Sequence, residues 1–351
     1  MKTIAMSVRS TGSAVGLAVL LLACGRSSVA PTPQDEGRLD SAMVAARQEP
    51  NLTSLVALRA GVPPREYFAN GSGADAPHSV WSVTKSVVSL AVGAALDRGC
   101  LHSLDQTLPE LLGPAAVPDP TKARITLRHI LTMTTGLDCP EMASYTTQTN
   151  LYQTWMNAPD QLAWVLDRPL SAAPGERFEY GSATFHLASV ALTRACGESA
   201  ADFTSSAIFS PLGIPPRSWG TDRQGFSNGG AGLVLSPRDM GAIGSLVLDS
   251  GRAHGRQVIA SGWIQDMTRA QVATAPDMAA PGYGYGWWRG QAAGLDIVFA
   301  TGWGGQFIIV IPSKGAVVTA TSATTGMSGP AALERWQRVF TLLTTRIIPA
   351  L

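Results

Sequence analysis

The stretch from residue 81 to residue 96 reads Trp-Ser-Val-Thr-Lys-Ser-Val-Val-Ser-Leu-Ala-Val-Gly-Ala-Ala-Leu and contains Ser82 and Lys85. Beyond Lys85 it is small and apolar on almost every face, which predicts a helix buried in the core. The two residues are three positions apart and therefore share one face of that helix. Burial disfavours the ammonium and favours the neutral amine, which can accept a proton. The segment predicts a serine nucleophile with a lysine base one turn away.

Ser82 also lies at the predicted amino terminus of this helix. Unpaired backbone N–H groups and the positive end of the helix dipole stabilise an anion there, so one residue would supply both a nucleophile and an oxyanion donor. The alternative is that Ser82 only caps the helix while the Lys85 ammonium reaches solvent. An S-x-x-K pattern is frequent by chance and gains weight here because it opens an apolar helix.

The rest of the chain predicts one sheet built from both ends. One β-hairpin is predicted within residues 54–69 and another within residues 307–321, each with a turn that contains Gly and Pro. The predicted helices are 82–98, 126–135, 160–167, 184–195, 237–250 and 331–347. The middle of the chain therefore reads as a helical insertion between the sheet-forming ends.

Composition indicates a large globular enzyme. The 351 residues are 45% hydrophobic and 15% charged, with 36 Gly and 23 Pro, which is unlike a disordered chain or a coiled coil. The length allows one large domain or two packed subdomains. A formal net charge of +1 gives no reason to expect nucleic acid as a partner.

Four further stretches follow the Ser82 segment in order. They are residues 125–137 (Ile-Thr-Leu-Arg-His-Ile-Leu-Thr-Met-Thr-Thr-Gly-Leu), 174–182 (Pro-Gly-Glu-Arg-Phe-Glu-Tyr-Gly-Ser), 228–239 (Asn-Gly-Gly-Ala-Gly-Leu-Val-Leu-Ser-Pro-Arg-Asp) and 300–306 (Ala-Thr-Gly-Trp-Gly-Gly-Gln). With these motifs the chain resembles the serine β-lactamase and penicillin-binding-protein superfamily over roughly residues 50–345. It is most similar to the class C-like branch of esterases, D-aminopeptidases and 6-aminohexanoate-dimer hydrolases.

The resemblance implies an α/β (α+β) fold of the β-lactamase/transpeptidase type. This is an antiparallel sheet flanked by helices, with an inserted helical subdomain that covers the cleft. The expected α/β subdomain comprises residues 41–105 and 229–351, and the expected helical subdomain comprises residues 106–228. The two terminal hairpins support this architecture independently of the resemblance.

The resemblance also implies roles for two residues near position 180. Tyr180 matches the tyrosine of the family's Tyr-x-Asn motif, which shuttles a proton to the leaving group; the alternative is a tyrosine of the core. Ser182 replaces the usual Asn. It would hydrogen-bond the substrate or the lysine, or equally cap the helix that follows.

Residues 300–302 align with the family's Lys-Thr-Gly strand, so Thr301 and Gly302 are expected to line the cleft. By that match the N–H of Trp303 completes an oxyanion hole with the N–H of Ser82. Ala300 stands where the family has a lysine. Without a cation there, recognition of a β-lactam carboxylate is not expected, and an ester or amide without that anion is favoured.

Three further residues are substrate-binding candidates. Asn228 matches a position that borders the cleft, although a turn residue is the alternative. Trp288 ends an aromatic segment that can wall the cleft or pack in the core. Tyr145 falls where related amide hydrolases can place another tyrosine of the cleft.

A competing hydrolase motif, G-x-S-x-G, occurs at residues 225–229 around Ser227. A nucleophile elbow requires a buried strand before the serine and a helix after it, whereas polar residues precede and a glycine-rich run follows here. His254 is the only histidine after Ser227, so a Ser…Asp…His order would depend on that one residue. The context argues against this motif.

The amino terminus predicts export. Residues 1–23 have the basic and apolar regions of a signal peptide, and Leu21-Leu-Ala-Cys24 resembles a lipobox in which Cys24 would be acylated; a plain secreted protein is the alternative. Residues 24–40 are interpreted as a linker. The expected location is the periplasm, with possible anchoring to the outer membrane.

Three cysteines remain after the leader: Cys100, Cys139 and Cys196. They are too far apart for a Cys-x₂-Cys metal pattern, and one disulfide among them would leave one thiol over. The sequence does not choose the pair. No metal site and no organic cofactor are expected.

The sequence therefore favours a serine hydrolase that cleaves a small ester or amide through an acyl-enzyme on Ser82. Within the same chemistry, β-lactamase or D-alanyl peptidase activity is the alternative. A non-turnover peptidoglycan-binding or sensor module is the alternative from another class.

Overall fold

The computed structural model describes residues 33–351 except 70, 146, 148, 149 and 277. The predicted signal peptide 1–23, Cys24 and the first part of the predicted linker lie outside the described residues.

An eight-stranded antiparallel sheet organises the molecule. The strands of the described residues are β1 (Leu52–Arg59), β2 (Val62–Phe68), β3 (His78–Ser79), β4 (Val234–Leu235), β5 (Arg252–Ala253), β6 (Arg256–Gln257), β7 (Val272–Ala273), β8 (Gly282–Tyr283), β9 (Trp288–Ala292), β10 (Leu295–Gly302), β11 (Gln306–Ile311) and β12 (Ala316–Ser322). The order in the large sheet is β2-β1-β12-β11-β10-β9-β8-β7, and β3–β4 and β5–β6 form two small ribbons.

Both predicted hairpins are confirmed, and they lie side by side in one half of this sheet. Strand β1 pairs with β12, with Leu55 opposite Ala320, so the two ends of the chain share one ladder. Strands β11 and β12 are buried along their whole length, as expected of apolar strands covered on both faces. The antiparallel sheet flanked by helices that the sequence predicted is therefore present.

Helices fill the remainder of the described chain. They are α1 (Pro33–Ala46), α2 (Val83–Asp97), α3 (Leu108–Leu112), α4 (Leu127–Leu131), α5 (Glu141–Ser144), α6 (Leu151–Asn157), α7 (Gln161–Leu166), α8 (Ser182–Cys196), α9 (Ala200–Thr204), α10 (Ser210–Leu212), α11 (Pro237–Leu248), α12 (Ser261–Thr268) and α13 (Gly329–Leu342). Two π-helical turns, Ser205–Phe209 and Leu343–Ile347, join or extend them.

Two sequence predictions about helices need correction. The helix predicted over residues 126–135 ends at Leu131, because the chain turns at Met133, whose φ of 59° is incompatible with a right-handed helix. The linker predicted to extend to residue 40 gives way to α1 at Pro33. Helix α1 is held to the fold by its buried Met43 and Ala46, which belong to the hydrophobic core.

Helices cover the two faces of the sheet. Helix α11 packs on the face formed by Ile308 and Val317, where a Cβ on Gly244 would lie 2.4 Å from Val317. Helix α13 packs on the other face, with Phe340 against Phe299 and Phe307. Helix α2 contacts α8 and α9 on one side and β10 and β11 on the other. It thus joins the helical part of the molecule to the sheet.

Helices α3–α10 all lie within the predicted helical subdomain, whose boundaries at residues 106 and 228 remain predictions. A disulfide between Cys100 and Cys196 joins the segment after α2 to the end of α8. Cys139 is the buried thiol left over. Across residues 33–351, the five undescribed positions apart, none of the helices combines the length and the apolarity that crossing a membrane requires.

Candidate active site

Ser82 occupies the N-cap position of α2 but makes no capping hydrogen bond with its side chain. The residue before it, Trp81, has a φ of 50°, a conformation that is unfavourable for a bulky side chain and that the surroundings must stabilise. The Trp81 indole N–H donates to Thr324 Oγ1 at 3.0 Å. The sharp turn into α2 leaves the Ser82 hydroxyl available for chemistry instead of for capping.

Lys85 is 1% exposed, so its head group does not reach solvent. Its Nζ lies 2.9 Å from Ser82 Oγ, 2.9 Å from Ser182 Oγ and 2.7 Å from the Gly230 carbonyl oxygen. Burial lowers the pKa of Lys85 from 10.5 to about 8, and the charge of Glu141 opposes this shift. A substantial fraction of neutral amine therefore faces Ser82 at moderately alkaline pH.

The Gly230 carbonyl reaches Lys85 because the loop after residue 227 packs directly on the start of α8. A Cβ at Gly230 would lie 2.6 Å from Ser182 Cβ, so a side chain has no room there. Asn228 holds the loop, since its Oδ1 accepts from the N–H groups of Gly230 and Ala231 at 3.0 Å each.

The prediction that Asn228 borders the substrate cleft is therefore wrong. The residue is 2% exposed, and it borders neither of the two cavities at Ser82. The alternative of a turn residue describes it better, because its amide completes backbone hydrogen bonds of the loop.

Tyr180 is buried just before α8 and lines the same cavity as Ser82. Its ring stacks on Trp288 at 5.9 Å between centroids and lies 4.8 Å from Lys85 Nζ. Burial, and next the charge of Glu141, raise the pKa of Tyr180 far above its usual range. The side chain consequently stays a phenol, which can donate a proton but does not start as a base.

Ser182 is the first residue of α8, and Gly181 takes the N-cap position, so the capping alternative for Ser182 is wrong. Its hydroxyl bridges Lys85 Nζ at 2.9 Å and Glu141 Oε1 at 3.0 Å. Its backbone N–H donates to Glu141 Oε2 at 2.5 Å. The shorter side chain that replaces the family's Asn thus still contacts the lysine.

Glu141, at the start of α5, was not found from the sequence. It is 3% exposed and also accepts a hydrogen bond from the Tyr145 phenol. It lies outside the five motifs, between Cys139-Pro140 and Met142. One signal in the sequence could have found it: an acidic residue stands in a short segment just before Tyr145, which was predicted to lie in the cleft. A buried carboxylate needs several hydrogen-bond donors, and a tyrosine can be one of them.

Two cavities meet at Ser82, and Tyr145 and Trp303 border both. These two rings contact edge to face, with centroids 4.8 Å apart. The first cavity, of about 430 Å³, has several polar residues in its lining, among them Asn150, Tyr152, Gln153, Ser182, Thr324 and Glu141. The second, of about 590 Å³, is lined mainly by apolar ones, among them Met142, Met278, Trp288, Leu333, Trp336 and Phe340.

The end of β10 forms the wall opposite Ser82. Thr301, Gly302 and Trp303 line the apolar cavity, as the sequence predicted for the first two. A Cβ at Gly302 would lie 2.2 Å from the Val80 carbonyl oxygen, so only glycine allows β10 to approach the segment before α2 so closely. This approach brings the backbone of Trp303 beside the same cavities as Ser82.

The cleft carries little charge. Among the described residues that line the two cavities there is no Lys or Arg, and Glu141 is the one acidic residue. Ala300, which replaces the family's lysine, is fully buried and lines neither cavity. No group of three or more His, Cys, Asp or Glu that could hold a metal ion occurs in the described part of the chain.

The competing motif around Ser227 has no place in this site. Ser227 is buried, and its hydroxyl accepts from the Ala201 N–H at 3.1 Å, which makes it a connection between a loop and α9. His254 is exposed between β5 and β6. The structure thus agrees with the sequence context that Ser227 is not the serine of a nucleophile elbow.

Comparison with known proteins finds related sequences and similar folds. A 6-aminohexanoate-dimer hydrolase from Paenarthrobacter ureafaciens is 24% identical over 222 residues, which cover 61% of this chain and 56% of the relative. A solved structure provisionally named a 6-aminohexanoate-dimer hydrolase, from Bacillus anthracis, has a TM-score of 0.73 at 17% identity, over 88% of this chain and 82% of the other.

The hydrolase EstCE1, which has promiscuous acyltransferase activity, has a TM-score of 0.65 at 19% identity, over 88% of this chain and 98% of its own. At these identities the solved structures show the fold alone. The family model described as Beta-lactamase matches residues 54–342. The chain belongs to the beta-lactamase family.

Proposed function

We propose that the protein is a serine hydrolase that cleaves an uncharged ester or amide through an acyl-enzyme on Ser82. The observation that carries this proposal is the buried Lys85 amine, 2.9 Å from Ser82 Oγ, with a pKa lowered to about 8. A neutral amine at this distance can act as a general base toward the serine hydroxyl. The relationship to a 6-aminohexanoate-dimer hydrolase supports hydrolytic chemistry.

In the first half of the reaction, Ser82 Oγ bonds to the acyl carbon while its proton passes to Lys85 Nζ. The backbone N–H groups of Ser82 and Trp303 would stabilise the oxyanion of the tetrahedral intermediate. The bond to the leaving group then breaks, and the proton moves from Lys85 through the Tyr180 phenol to that group. An ester between the acyl group and Ser82 remains.

In the second half, water attacks this ester. Lys85 takes its proton through the Tyr180 phenol, which passes one proton on as it receives another, and the proton returns to Ser82 Oγ as the carboxylic acid leaves, so the enzyme is restored without a cofactor. The mechanism uses Tyr180 as a relay, because burial keeps it protonated.

An uncharged substrate is favoured by the lining of the cleft. The described residues around the two cavities include no cation, and Glu141 would repel a carboxylate. The cavity of about 590 Å³ beside Trp336 suits an apolar acyl group. Tyr145, Ser182, Trp288, Thr301 and Gly302 would contact the substrate.

We also infer that the protein is exported and remains in the periplasm, attached to a membrane through an acylated Cys24. The support is the leader-like composition of residues 1–23 and the lipobox-like sequence that follows. The Cys100–Cys196 disulfide suits an oxidising compartment. Labelling of expressing cells with radioactive palmitate tests this inference, and a Cys24→Ala variant that still incorporates label would contradict it.

The activity is tested by steady-state release of p-nitrophenolate from p-nitrophenyl butyrate by the mature protein and by Ser82→Ala. Ser227→Ala serves as the matched control, because it removes the serine of the competing motif. We expect turnover that is lost only in Ser82→Ala. Turnover that survives in Ser82→Ala would refute the proposal.

A chromogenic cephalosporin measured in parallel decides between the alternatives. Faster turnover of the cephalosporin than of the ester would favour β-lactamase or D-alanyl peptidase activity and overturn the expectation of an uncharged substrate. A stoichiometric burst without turnover would instead indicate a non-turnover sensor or peptidoglycan-binding module.

A further inference from the structure

Glu141 is the buried charged group in the cleft to which neither the sequence motifs nor the comparisons give a role. The three donors around it are the Ser182 N–H, the Ser182 hydroxyl and the Tyr145 phenol. A carboxylate oxygen accepts, so all three point their hydrogens at Glu141. This carboxylate therefore determines which way the Ser182 hydroxyl points.

The direction of that hydroxyl decides the hydrogen bonds of Lys85. Because Ser182 Oγ–H donates to Glu141, its oxygen must accept from Lys85 Nζ at 2.9 Å. The Gly230 carbonyl, at 2.7 Å, can only accept. These two acceptors use both N–H bonds of a neutral amine, so its single lone pair is left facing Ser82 Oγ.

We propose that Glu141 is a positioning residue for the proposed reaction, which acts through Ser182 to hold the Lys85 lone pair toward Ser82. An amide at position 141 offers one acceptor oxygen to three donors, so the Ser182 hydroxyl is free to turn its hydrogen toward Lys85 and to compete with Ser82 for the lone pair. This proposal rests on the proposed function, in which Lys85 is the base.

The same carboxylate has an electrostatic consequence that separates this role from a structural one. Its charge raises the pKa of Lys85 and so opposes the effect of burial. The other titratable groups around the pair are Tyr145, Tyr152, Tyr180 and Cys139, and burial raises the pKa of each of them. All four therefore stay neutral at the working pH, and Glu141 is the charge that Lys85 senses.

The experiment is a pH profile of kcat/KM from pH 6 to 10 with p-nitrophenyl butyrate for the mature protein, Glu141→Gln, Ser182→Ala and the double variant. For Glu141→Gln we expect a plateau lower by about 10- to 100-fold, the effect of losing one hydrogen bond to a charged group. We also expect its acid limb to move down by as much as about one pH unit, since the charge that raised the pKa of Lys85 is gone.

The double variant tests whether Glu141 acts through Ser182. If it does, adding Glu141→Gln to Ser182→Ala lowers the plateau by much less than it lowers the plateau of the unaltered protein. Exposed Glu198, beyond α8, provides the matched control Glu198→Gln, which should leave plateau and limb unchanged. An unchanged profile in Glu141→Gln, or full additivity in the double variant, would overturn the proposal.

Far-UV circular dichroism and thermal unfolding establish whether each variant folds. If Glu141→Gln does not fold, Glu141→Asp keeps the charge and shortens the reach: a lower plateau with an unmoved limb supports the proposal, and an unchanged plateau contradicts it. If the unaltered protein shows no turnover that depends on Ser82, the proposed function fails and not this inference alone.

Discussion

Lys85 Nζ and Ser82 Oγ are 2.9 Å apart, one helical turn from each other on α2, and the lysine is almost completely buried. Burial of an amine favours catalysis but lowers the stability of the folded state. It produces a base near neutral pH, and it costs free energy in the folded state. Both consequences are measurable.

We expect kcat/KM for p-nitrophenyl butyrate to rise with pH and to level off above about pH 8. The reactive form is the neutral amine, and burial lowers the pKa of Lys85 to about 8. Lys85→Arg should reduce kcat/KM by about 100- to 10,000-fold at every pH, because a guanidinium does not deprotonate. The check is a pH profile from 6 to 10; a profile without an acid limb in this range would exclude Lys85 as the base.

Lys85→Met should be inactive but more stable than the unaltered protein. Below pH 8 the lysine is protonated in both the folded and the unfolded state, and the folded state bears the whole cost of a buried ammonium. From about pH 8 to 10.5 the unfolded state binds more protons, so the free energy of unfolding of the unaltered protein rises with pH.

Urea unfolding at pH 7 and at pH 10 tests this prediction. At pH 7 we expect a gain of about 1–3 kcal/mol in Lys85→Met, less than the shift alone implies because three hydrogen bonds are lost. The gain should shrink at pH 10. Lys314→Met, at a half-buried lysine outside the cleft, is the control, and an equal gain there would assign the effect to charge in general.

The sequence predicts a site residue when its neighbours in the site are also its neighbours in the chain. Ser82 and Lys85 are adjacent on one helix, and the apolar residues after them already show that the helix is buried. Glu141 and Gly230 reach Lys85 from separate segments, so only the packing of α5 and of the loop after residue 227 reveals them.

The same reasoning explains the corrections. Ser182 suits a cap or a contact with Lys85 equally well, and the choice depends on Glu141, which the motifs omit. Asn228 belongs to one of the five motifs, but its side chain hydrogen-bonds within its own loop. The terminal hairpins, by contrast, follow from short apolar runs on either side of local turns, and the sheet confirms them.

Tyr180→Phe should slow amide hydrolysis more than ester hydrolysis. A p-nitrophenolate group leaves without a proton, whereas an amine must be protonated before the C–N bond breaks, and Tyr180 is the proposed donor. We expect the ratio of kcat/KM for a matched p-nitrophenyl butyrate and N-butyryl alkylamide to increase by about tenfold or more. Tyr67→Phe, on β2, is the control; an equal loss with both substrates would restrict Tyr180 to packing.

Trp336→Ala should shift the preference toward longer acyl chains. The indole fills one wall of the apolar cavity and donates to Thr301 Oγ1 at 2.6 Å. Its removal makes room for several methylene groups, each worth about 0.8 kcal/mol when buried. The ratio of kcat/KM for p-nitrophenyl octanoate over butyrate should rise about tenfold or more, as initial rates can show.

Trp164→Ala is the matched control for that change, because Trp164 is half-buried and borders neither cavity. An unchanged ratio in Trp336→Ala would mean that the acyl chain does not enter the apolar cavity.

His186→Gln should reduce both stability and kcat/KM, although His186 touches neither Ser82 nor Lys85. Its Nε2 donates to Asp222 at 3.0 Å, and its Nδ1 accepts from the Gly229 N–H at 3.1 Å, with all of these side chains buried. Gly229 precedes Gly230, whose carbonyl holds Lys85 at 2.7 Å. The histidine thus fixes the backbone that orients the base.

Asp222 then loses the His186 N–H and keeps the N–H groups of Gln224 and Phe226 as donors, so the free energy of unfolding should fall by about 1–3 kcal/mol. If the loop moves, kcat should fall while KM changes little, because the lysine and not the substrate is displaced. Urea unfolding and steady-state kinetics measure the two effects, with exposed His102→Gln as the control. Full kcat in a destabilised but folded His186→Gln would show that the loop keeps Gly230 in place without the histidine.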